Sequence, residues 1–392
     1  MGETKSWITP FMKQCFVSAG VSLNMGGSGL VVGFTTGLLK QLKGENSEIP
    51  LDESAVSWIA SIPGLALILG NCLAPTMMSR YGRKNTNLLN IIPLIIGWVL
   101  IYFAKSLTIL YVARFLQGLS MGICTSVASV LIGEYTSPRN RGLFLMSITV
   151  TIAILVMCVH TMGSYLSWRY TAFICGIIAL IDLFIVIYSP ESPGCLCSKG
   201  RYEACEKSFR WLRGDGEEAE LKKMIEATME FRETKISTKS FSFVKKIRSK
   251  LNYVKVAFGK KEFYKPVFIM IHIFILGQWN GINVLVAFPI DLFEKVVGKN
   301  ANMPLLMMSI DIHRIVANTL ALIVVKKIKR RTLLYVGVGL NIVALLSVAA
   351  YTYAFDQGII APKYYIVGIL LVHLQMFTIA TGSLPLGFIL AG

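Results

Sequence analysis

Long apolar blocks constrain the fold of this chain more than any other feature of its sequence. The blocks are about twenty residues long, which is the length of α-helix that crosses roughly 30 Å of hydrocarbon. Hydrophobic residues make up 54% of the 392 residues, and charged residues only 16%. A soluble domain of this size needs more polar surface to cover its core. The sequence therefore predicts an all-α membrane protein with many spans.

Ten blocks are long enough to be transmembrane helices. They cover residues 14–39, 55–78, 86–104, 107–132, 142–163, 169–189, 266–290, 303–325, 333–354 and 364–391. The segment before the first block is polar, and that block is long enough to span, so no cleavable signal is expected.

Basic residues lie between the blocks and indicate how the chain is oriented. The net charge is +17, but the charge forms no separate patch, so a nucleic-acid partner is not expected. Arg80 and Lys84 follow the second block and Arg139 follows the fourth, whereas Glu45 and Glu48 follow the first. Cytoplasmic connections are enriched in Lys and Arg. We therefore expect the N-terminus and the basic connections to lie in the cytoplasm.

One connection is much longer than the others and divides the chain. Residues 190–265 hold eighteen Lys and Arg against eleven Asp and Glu. The segment 202–233 has helical spacing and mixed charge, which predicts short amphipathic helices. A basic cluster at 245–250 either contacts anionic lipid or belongs to a solvated loop. The predicted organisation is a first bundle over 1–189, a cytoplasmic loop over 190–265 and a second bundle over 266–392.

The eight cysteines do not form a disulfide framework. Five lie inside apolar blocks, where free thiols behave as small hydrophobic groups. Cys195, Cys197 and Cys205 lie in the long connection, where zinc binding or palmitoylation are alternatives to free thiols. The spacing lacks a second pair of ligands, so no metal and no cofactor are expected.

An internal repeat relates the two bundles. Arg80-Tyr-Gly-Arg-Lys84 follows the second span of the first bundle, and Lys327-Ile-Lys-Arg-Arg331 follows the second span of the second bundle. Two repeated halves joined by a long loop are typical of secondary transporters. With six spans in each half, ten of an expected twelve spans are present.

Several motifs occur in a fixed order relative to the blocks. They are Gly82-Arg-Lys-Asn-Thr86, Arg114-Phe-Leu-Gln-Gly118, Glu134 with Pro138 and Arg141-Gly142, Pro190-Glu-Ser-Pro193, Gln278-Trp-Asn-Gly-Ile-Asn283 and Arg330-Arg331. In this order the chain resembles the sugar porters of the major facilitator superfamily, and among them the insect facilitated trehalose transporter-like proteins. The resemblance implies the major facilitator fold and a monomer in the plasma membrane. It also implies transport of a hexose or a disaccharide such as trehalose by alternating access.

The resemblance also implies a set of gating residues. In the family, arginines at cytoplasmic span ends pair with acids across the two halves, and these pairs close the inner gate. The residues that match are Arg83, Arg114, Glu134, Arg141, Glu191, Arg330 and Arg331. Half-exposed ion pairs are worth only about 1 kcal/mol, so a gate can exchange them. The alternative is that these charges only set the orientation in the membrane.

The middle of the seventh span is the candidate substrate site. Gln278, Asn280 and Asn283 lie there beside Trp279. Amides in hydrocarbon are costly unless they face a cavity or a partner helix. They can donate to and accept from sugar hydroxyls, while an aromatic face packs on the sugar ring. Gly281 is a position where the helix can break. Hydrogen bonding between helices, without a substrate, is the alternative.

Two further polar features lie at membrane depth. Thr149 falls where many sugar porters place a sugar-binding glutamine, although a threonine more often bonds its own helix backbone. Asp311, His313 and Arg314 lie in the eighth span, where Asp311 and Arg314 can pair at i, i+3. The alternative is that the span starts later and the trio lies in the headgroup layer.

Acids are absent from the first span, and this bears on energy coupling. The residues from Gln14 to Leu39 include no Asp, Glu or His. Proton coupling needs a titratable group close to the substrate, so facilitated diffusion is expected. The chain also lacks a nucleophile elbow, an HExxH motif and a phosphate-binding loop, which argues against an enzyme.

The chain departs from the family pattern at several positions. Ser79 and Lys326 stand where acids are expected, and Gly277 stands where a second glutamine is usual. The last two spans of the family pattern are also missing. The alternative function is therefore a transport-deficient sugar sensor or a truncated product, and we expect a ten-span product to transport poorly.

Overall fold

The computed structural model describes residues 9–44, 48–236, 261–298, 302–327, 330–359 and 365–383. All the regular elements within these ranges are helical, as the apolar blocks predict.

Six long helices form the first half of the molecule. They are α1 (Pro10–Leu42), α2 (Glu53–Tyr81), α3 (Arg83–Tyr102), α4 (Leu107–Tyr135), α5 (Pro138–Tyr165) and α6 (Trp168–Tyr188). Each is long and apolar enough to cross a membrane, so the first six predicted spans are confirmed. Polar caps extend the helices beyond the apolar blocks; Asp52 Oδ1, for example, accepts the amide N–H of Ala55 at 2.8 Å.

Three short helices follow the first half, and two of them lie in the segment for which short helices are predicted. They are α7 (Pro193–Ser198), α8 (Tyr202–Arg213) and α9 (Glu218–Ile236). Helix α8 is fixed to the first half because Gln14 Nε2 donates to the carbonyl of Leu212 at 3.2 Å and Arg213 Nη2 donates to that of Thr136 at 2.8 Å. The predicted basic cluster at 245–250 lies outside the described residues.

The second half contains the remaining helices. They are α10 (Lys261–Gln278), α11 (Ile282–Ala287), α12 (Pro289–Val297), α13 (Met303–Lys327), α14 (Arg330–Asp356) and α15 (Tyr365–Thr378), the last followed by a π-helical turn over Ile379–Ser383. Within α14, Thr332–Asp356 is a seventh helix long and apolar enough to span.

The seventh predicted span, 266–290, is broken into pieces rather than continuous. Helix α10 ends at Gln278, and α11 begins at Ile282. Gly281 between them has a φ of +89°, a conformation that favours glycine. Asn280 Oδ1 accepts the amide N–H of Ile282 at 2.9 Å and so caps the new helix start. The predicted break at Gly281 is confirmed.

Small residues and aromatic contacts pack the first half. Helices α2 and α4 approach closely at Gly70 and Gly122, where a Cβ added to Gly122 would lie 2.9 Å from the Gly70 Cα. Close approach at small residues is a common way for membrane helices to associate. Phe34 of α1 meets Trp98 of α3 edge-to-face at 5.2 Å. The helices thus form a packed bundle around which apolar side chains face outward.

Candidate functional site between the two halves

A cavity of about 190 Å³ lies between the two halves. Helices α1, α4 and α5 form one wall, and α11 and α13 form the other. Most of the lining is apolar, and the polar side chains in it are Ser28, Thr149, Arg314 and Asn318. Apolar walls with a few convergent polar groups are typical of small-molecule sites. The volume is below the usual range of about 300–1,000 Å³ for ligand pockets, so the halves are partly closed around it.

Two buried polar atoms in the cavity wall have no partner among the described residues. They are Arg314 Nε and Asn318 Oδ1. The two residues are four apart on α13 and therefore share a helix face. The first atom is a donor and the second is an acceptor, but both are closed off from the cavity in this structure, so a sugar hydroxyl could bond them only after the side chains move. Sequence analysis did not identify Asn318, because one asparagine in an apolar helix has no motif around it.

Thr149 lies on the cavity wall, as predicted from the resemblance. Its hydroxyl, however, donates to the carbonyl of Met146 in its own helix at 2.8 Å. The Thr149 carbonyl accepts from Asn318 Nδ2 at 3.3 Å. Thr149 therefore contributes a fixed acceptor that positions Asn318.

The candidate segment around Gly281 has a structural role at one of its predicted positions, Asn280. Trp279 is 81% exposed and is not among the residues that line the cavity, and its stacking on a sugar ring stays a prediction. Asn280 is buried and caps α11, and its carbonyl accepts from Asn341 Nδ2 at 3.4 Å. The side chains of Gln278 and Asn283 lie outside the described part of the chain, and their role stays a prediction.

A network of charges lies at one end of the first half, which we call the basic end and define by Arg83, Glu134 and Glu191. Arg83 Nη2 is 3.2 Å from Glu134 Oε1. Glu191 Oε1 accepts the amide N–H groups of Arg83 at 3.1 Å, Lys84 at 2.9 Å and Ser192 at 3.0 Å. The Ser192 hydroxyl donates to the other oxygen of Glu134. These contacts tie α3, α4 and the segment after α6 together.

The pairing at the basic end differs from the pairing that the resemblance implies. Arg83 and Glu134 pair within one half rather than across the two halves. Arg141 forms no ion pair with another described residue, and its Nε has no partner there. The side chains of Arg330 and Arg331 lie outside the described residues, so pairing across the halves at this end stays a prediction.

Arg114 is not part of the basic-end network, which corrects the assignment made by resemblance. It lies twenty residues before Glu134 on α4, or about 30 Å along the helix. Its guanidinium is buried and bonds neutral acceptors, among them the carbonyl of Ile59 at 3.2 Å and that of Val31 at 2.9 Å. Arg114 therefore holds α1, α2 and α4 together.

The two halves meet at the opposite end, which we call the far end; there α5 ends and α13 begins. His160 Nδ1 of α5 is 2.6 Å from Asp311 Oδ2 of α13. Arg314 Nη2 lies 3.6 Å from Asp311 Oδ1, which confirms the predicted i, i+3 pair. Both residues are buried inside α13. Helix α13 therefore begins before these residues, and their depth in the membrane stays a prediction.

Comparison with known families agrees with this architecture. A family model described as "Sugar (and other) transporter" matches residues 15–391.

Curated relatives are facilitated trehalose transporters of insects. The chain is 26% identical over 349 residues to Facilitated trehalose transporter Tret1 of Polypedilum vanderplanki, a match that covers 87% of this chain and 66% of the relative. It is 27% identical over 358 residues to the Bombyx mori protein of the same name, covering 90% of this chain and 68% of the relative. The match to the Aedes aegypti protein covers 41% of that relative. The chain thus spans about two thirds or less of the length of these relatives.

Solved structures show the same fold. The proton:xylose symporter XylE, bound to 6-bromo-6-deoxy-D-glucose, superposes with a TM-score of 0.75 at 18% identity over 97% of this chain and 81% of that chain. A partially occluded inward open conformation of XylE from E. coli gives a TM-score of 0.71 at 18% identity over 96% and 87% of the two chains. The fold is that of the major facilitator superfamily.

Proposed function

The chain belongs to the sugar (and other) transporter family, and we propose that it moves a small sugar across a membrane by facilitated diffusion. The relatives named for trehalose transport support a disaccharide or a hexose as the cargo. The observation that carries the proposal is the cavity between the halves, whose lining includes Arg314 and Asn318, each with a buried polar atom that has no partner among the described residues.

The proposed mechanism is alternating access. The hydrogen bonds between halves lie in the middle and at the far end, where Asn318 bonds Thr149 and Thr36 bonds the carbonyl of Val286 at 3.3 Å. Separation of these contacts would open the cavity at the far end. Closure at the basic end would then need new contacts, for which Arg330 and Arg331 are the proposed partners of Glu134 and Glu191. Sugar binding would shift the equilibrium toward the conformation in which the sugar forms hydrogen bonds with Arg314 and Asn318.

Cellular context is part of the same proposal. The chain would be a monomer in the plasma membrane, with residues 1–189 and 266–392 as its two halves and the loop 190–265 in the cytoplasm. The positive-inside rule supports this orientation. We propose no catalytic activity and no nucleic-acid partner.

Uptake into liposomes tests the proposal. Purified full chain is reconstituted, and entry of radiolabelled trehalose and glucose is followed over time. We expect one of the sugars to enter slowly and to approach the outside concentration without accumulating. No entry above protein-free liposomes would reject transport, and sugar binding without entry would support the alternative of a sensor.

A pair of variants tests the site itself. Asn318→Ala removes one hydrogen bond to the sugar, worth about 0.5–1.5 kcal/mol, and should raise the KM about two- to tenfold. The matched control is Thr319→Ala, which changes an exposed residue of α13 whose hydroxyl bonds its own helix. Equal KM values in the two variants would remove Asn318 from the substrate site.

A further inference from the structure

A buried histidine and a buried acid meet where the two halves touch at the far end. The side chains of His160 and Asp311 are each 2% exposed. They come from α5 of the first half and α13 of the second, and Nδ1 lies 2.6 Å from the carboxylate. The other ring nitrogen, Nε2, lies 3.2 Å from the carbonyl oxygen of Val286 in α11. Both nitrogens of one imidazole therefore face oxygen atoms of the second half.

Hydrogen-bond chemistry fixes the number of protons that this arrangement needs. The Val286 carbonyl can only accept, so Nε2 must carry a hydrogen to bond it. A neutral imidazole then presents the Nδ1 lone pair to Asp311, and a carboxylate there would be repelled. The contact is satisfied when one more proton is present, either on Nδ1 as an imidazolium or on Asp311 as a carboxylic acid. Both forms contain the same number of protons.

We propose that His160 and Asp311 form a proton-binding site that is filled when the halves meet at the far end and emptied when they separate there. The ligand is a single proton, shared between one residue of each half. This inference rests on the alternating access proposed above. It adds a protonation step to the transport cycle. The first span contains no acid, so the sequence did not predict such a step.

Charged and titratable groups around the site fit this role. On α13, Arg314 lies 3.6 Å from Asp311 and donates to the carbonyl of Ala153 at 3.2 Å, so one fixed positive charge balances the carboxylate. On α5 itself, Cys158 is the titratable group near Asp311. From α11 the Val286 carbonyl faces the ring.

The remaining elements contribute no second acid to the site among the described residues. On α1, Gly33 packs against the imidazole, since a Cβ added there would lie 3.3 Å from Nε2. His313 of α13 faces His373 of α15 at 5.3 Å between ring centroids, and this imidazole pair does not bond Asp311. Asp291 and Glu294 line a separate pocket with Lys40 and Lys43.

The sign of the pH effect follows from the stoichiometry. The closed far end holds one proton more than the open far end, so acid favours closure. As the pH rises above the range in which the closed pair keeps its proton, that advantage is lost. Within the titrating range the closed-to-open ratio should change by up to tenfold for each pH unit.

A distance measurement across the far end tests the proposal without using transport. Spin labels are attached to cysteines introduced at Tyr165 at the end of α5 and at Leu305 near the start of α13, which are 70% and 63% exposed. Cys72, the exposed native thiol, is replaced by serine. Double electron–electron resonance then gives the fractions of short and long distances from about pH 5 to about pH 8. We expect the short distance to grow as the pH falls.

Variants assign the response to the proposed site. His160→Gln and Asp311→Asn should each abolish the pH response. The matched control, His313→Gln combined with His373→Gln, removes the other imidazole pair and should keep it. A native pH response in both site variants, or no response in the native chain, would overturn the proposal. A distance that responds to sugar but not to pH overturns the proton site alone, whereas one that responds to neither also contradicts alternating access.

Discussion

Glu191 caps the start of α3 from a position 108 residues further along the chain. The contribution of this cap to the stability of the first turn can be predicted. Glu191 Oε1 accepts the amide N–H groups of Arg83 and Lys84, the first two residues of α3. Gly82, which precedes α3, offers no side-chain cap. The first amides of a helix have no partner within the helix, and they favour a negative charge. Glu191→Gln should therefore loosen the start of α3.

The magnitude can be worked from the three hydrogen bonds of Oε1. A bond to a charged acceptor is worth about 1.5–3 kcal/mol, and a neutral one about 0.5–1.5 kcal/mol, so Gln loses about 1 kcal/mol per bond. Two of the bonds hold α3, which gives about 2 kcal/mol for opening its first turn. That energy corresponds to about thirty-fold faster hydrogen exchange of these amides.

Hydrogen–deuterium exchange with mass spectrometry measures this directly. A peptide that begins several residues before Arg83 and contains the first turn of α3 should exchange faster in Glu191→Gln, while peptides from the middle of α4 should be unchanged. Glu206→Gln is the control, because Glu206 makes only an exposed pair with Arg210 on α8. Unchanged exchange at Arg83 would refute the capping argument. Faster exchange throughout the first half would show global destabilisation instead.

Three more predictions concern packing, the helix break and thiol reactivity. Gly122→Leu should lower the melting temperature of the detergent-solubilised protein, because the leucine side chain would collide with Gly70 of α2. Gly64→Leu is the control and should leave the melting temperature unchanged, since nothing lies within 4 Å of a Cβ added at that position. Gly281→Ala should slow sugar uptake, because the added Cβ would lie 2.7 Å from Gln375 Nε2. The φ of +89° would also strain the alanine by about 1–2 kcal/mol. Equal uptake in Gly281→Ala and Gly277→Ala would contradict this. Burial and the neighbouring Cys197 raise the pKa of Cys205 to about 12, so its thiol stays protonated at pH 8. Mass spectrometry should therefore find far slower alkylation of Cys205 in the folded protein than in protein denatured with sodium dodecyl sulfate, and equal rates would refute it.

Local sequence signals predicted the helices and the break well. Apolar length identifies a span because the bilayer imposes it, and Gly281 marks a break because few other residues adopt its φ. The helix ends were less accurate. Helix α1 covers Pro10–Leu42 rather than 14–39, because capping and contacts with α8 extend it past the apolar block.

Long-range relations were not predictable in the same way. His160 and Asp311 are 151 residues apart, and no local pattern links them. Arg114 was assigned to the gate because it belongs to a family motif, but its depth on α4 depends on where that helix begins. The direction of Trp279 depends on the helix rotation at the break, where one residue turns a side chain by about 100°. These relations are properties of the packed fold.

The broken seventh span changes how this part of the chain responds to the thickness of the bilayer. The stretch from Lys261 to Val297, with its three helices and the joints between them, contains 37 residues, and one straight helix of that length would measure about 55 Å. A continuous helix fits a membrane of about 30 Å by tilting as a whole, whereas joints at Gly281 and Phe288 let each piece tilt separately. Helix α11 between these joints carries the Val286 carbonyl, which accepts from Thr36 and His160 of the other half. Hydrophobic mismatch would therefore act on the contact between the halves, and lipid chain length would shift the balance between its open and closed forms.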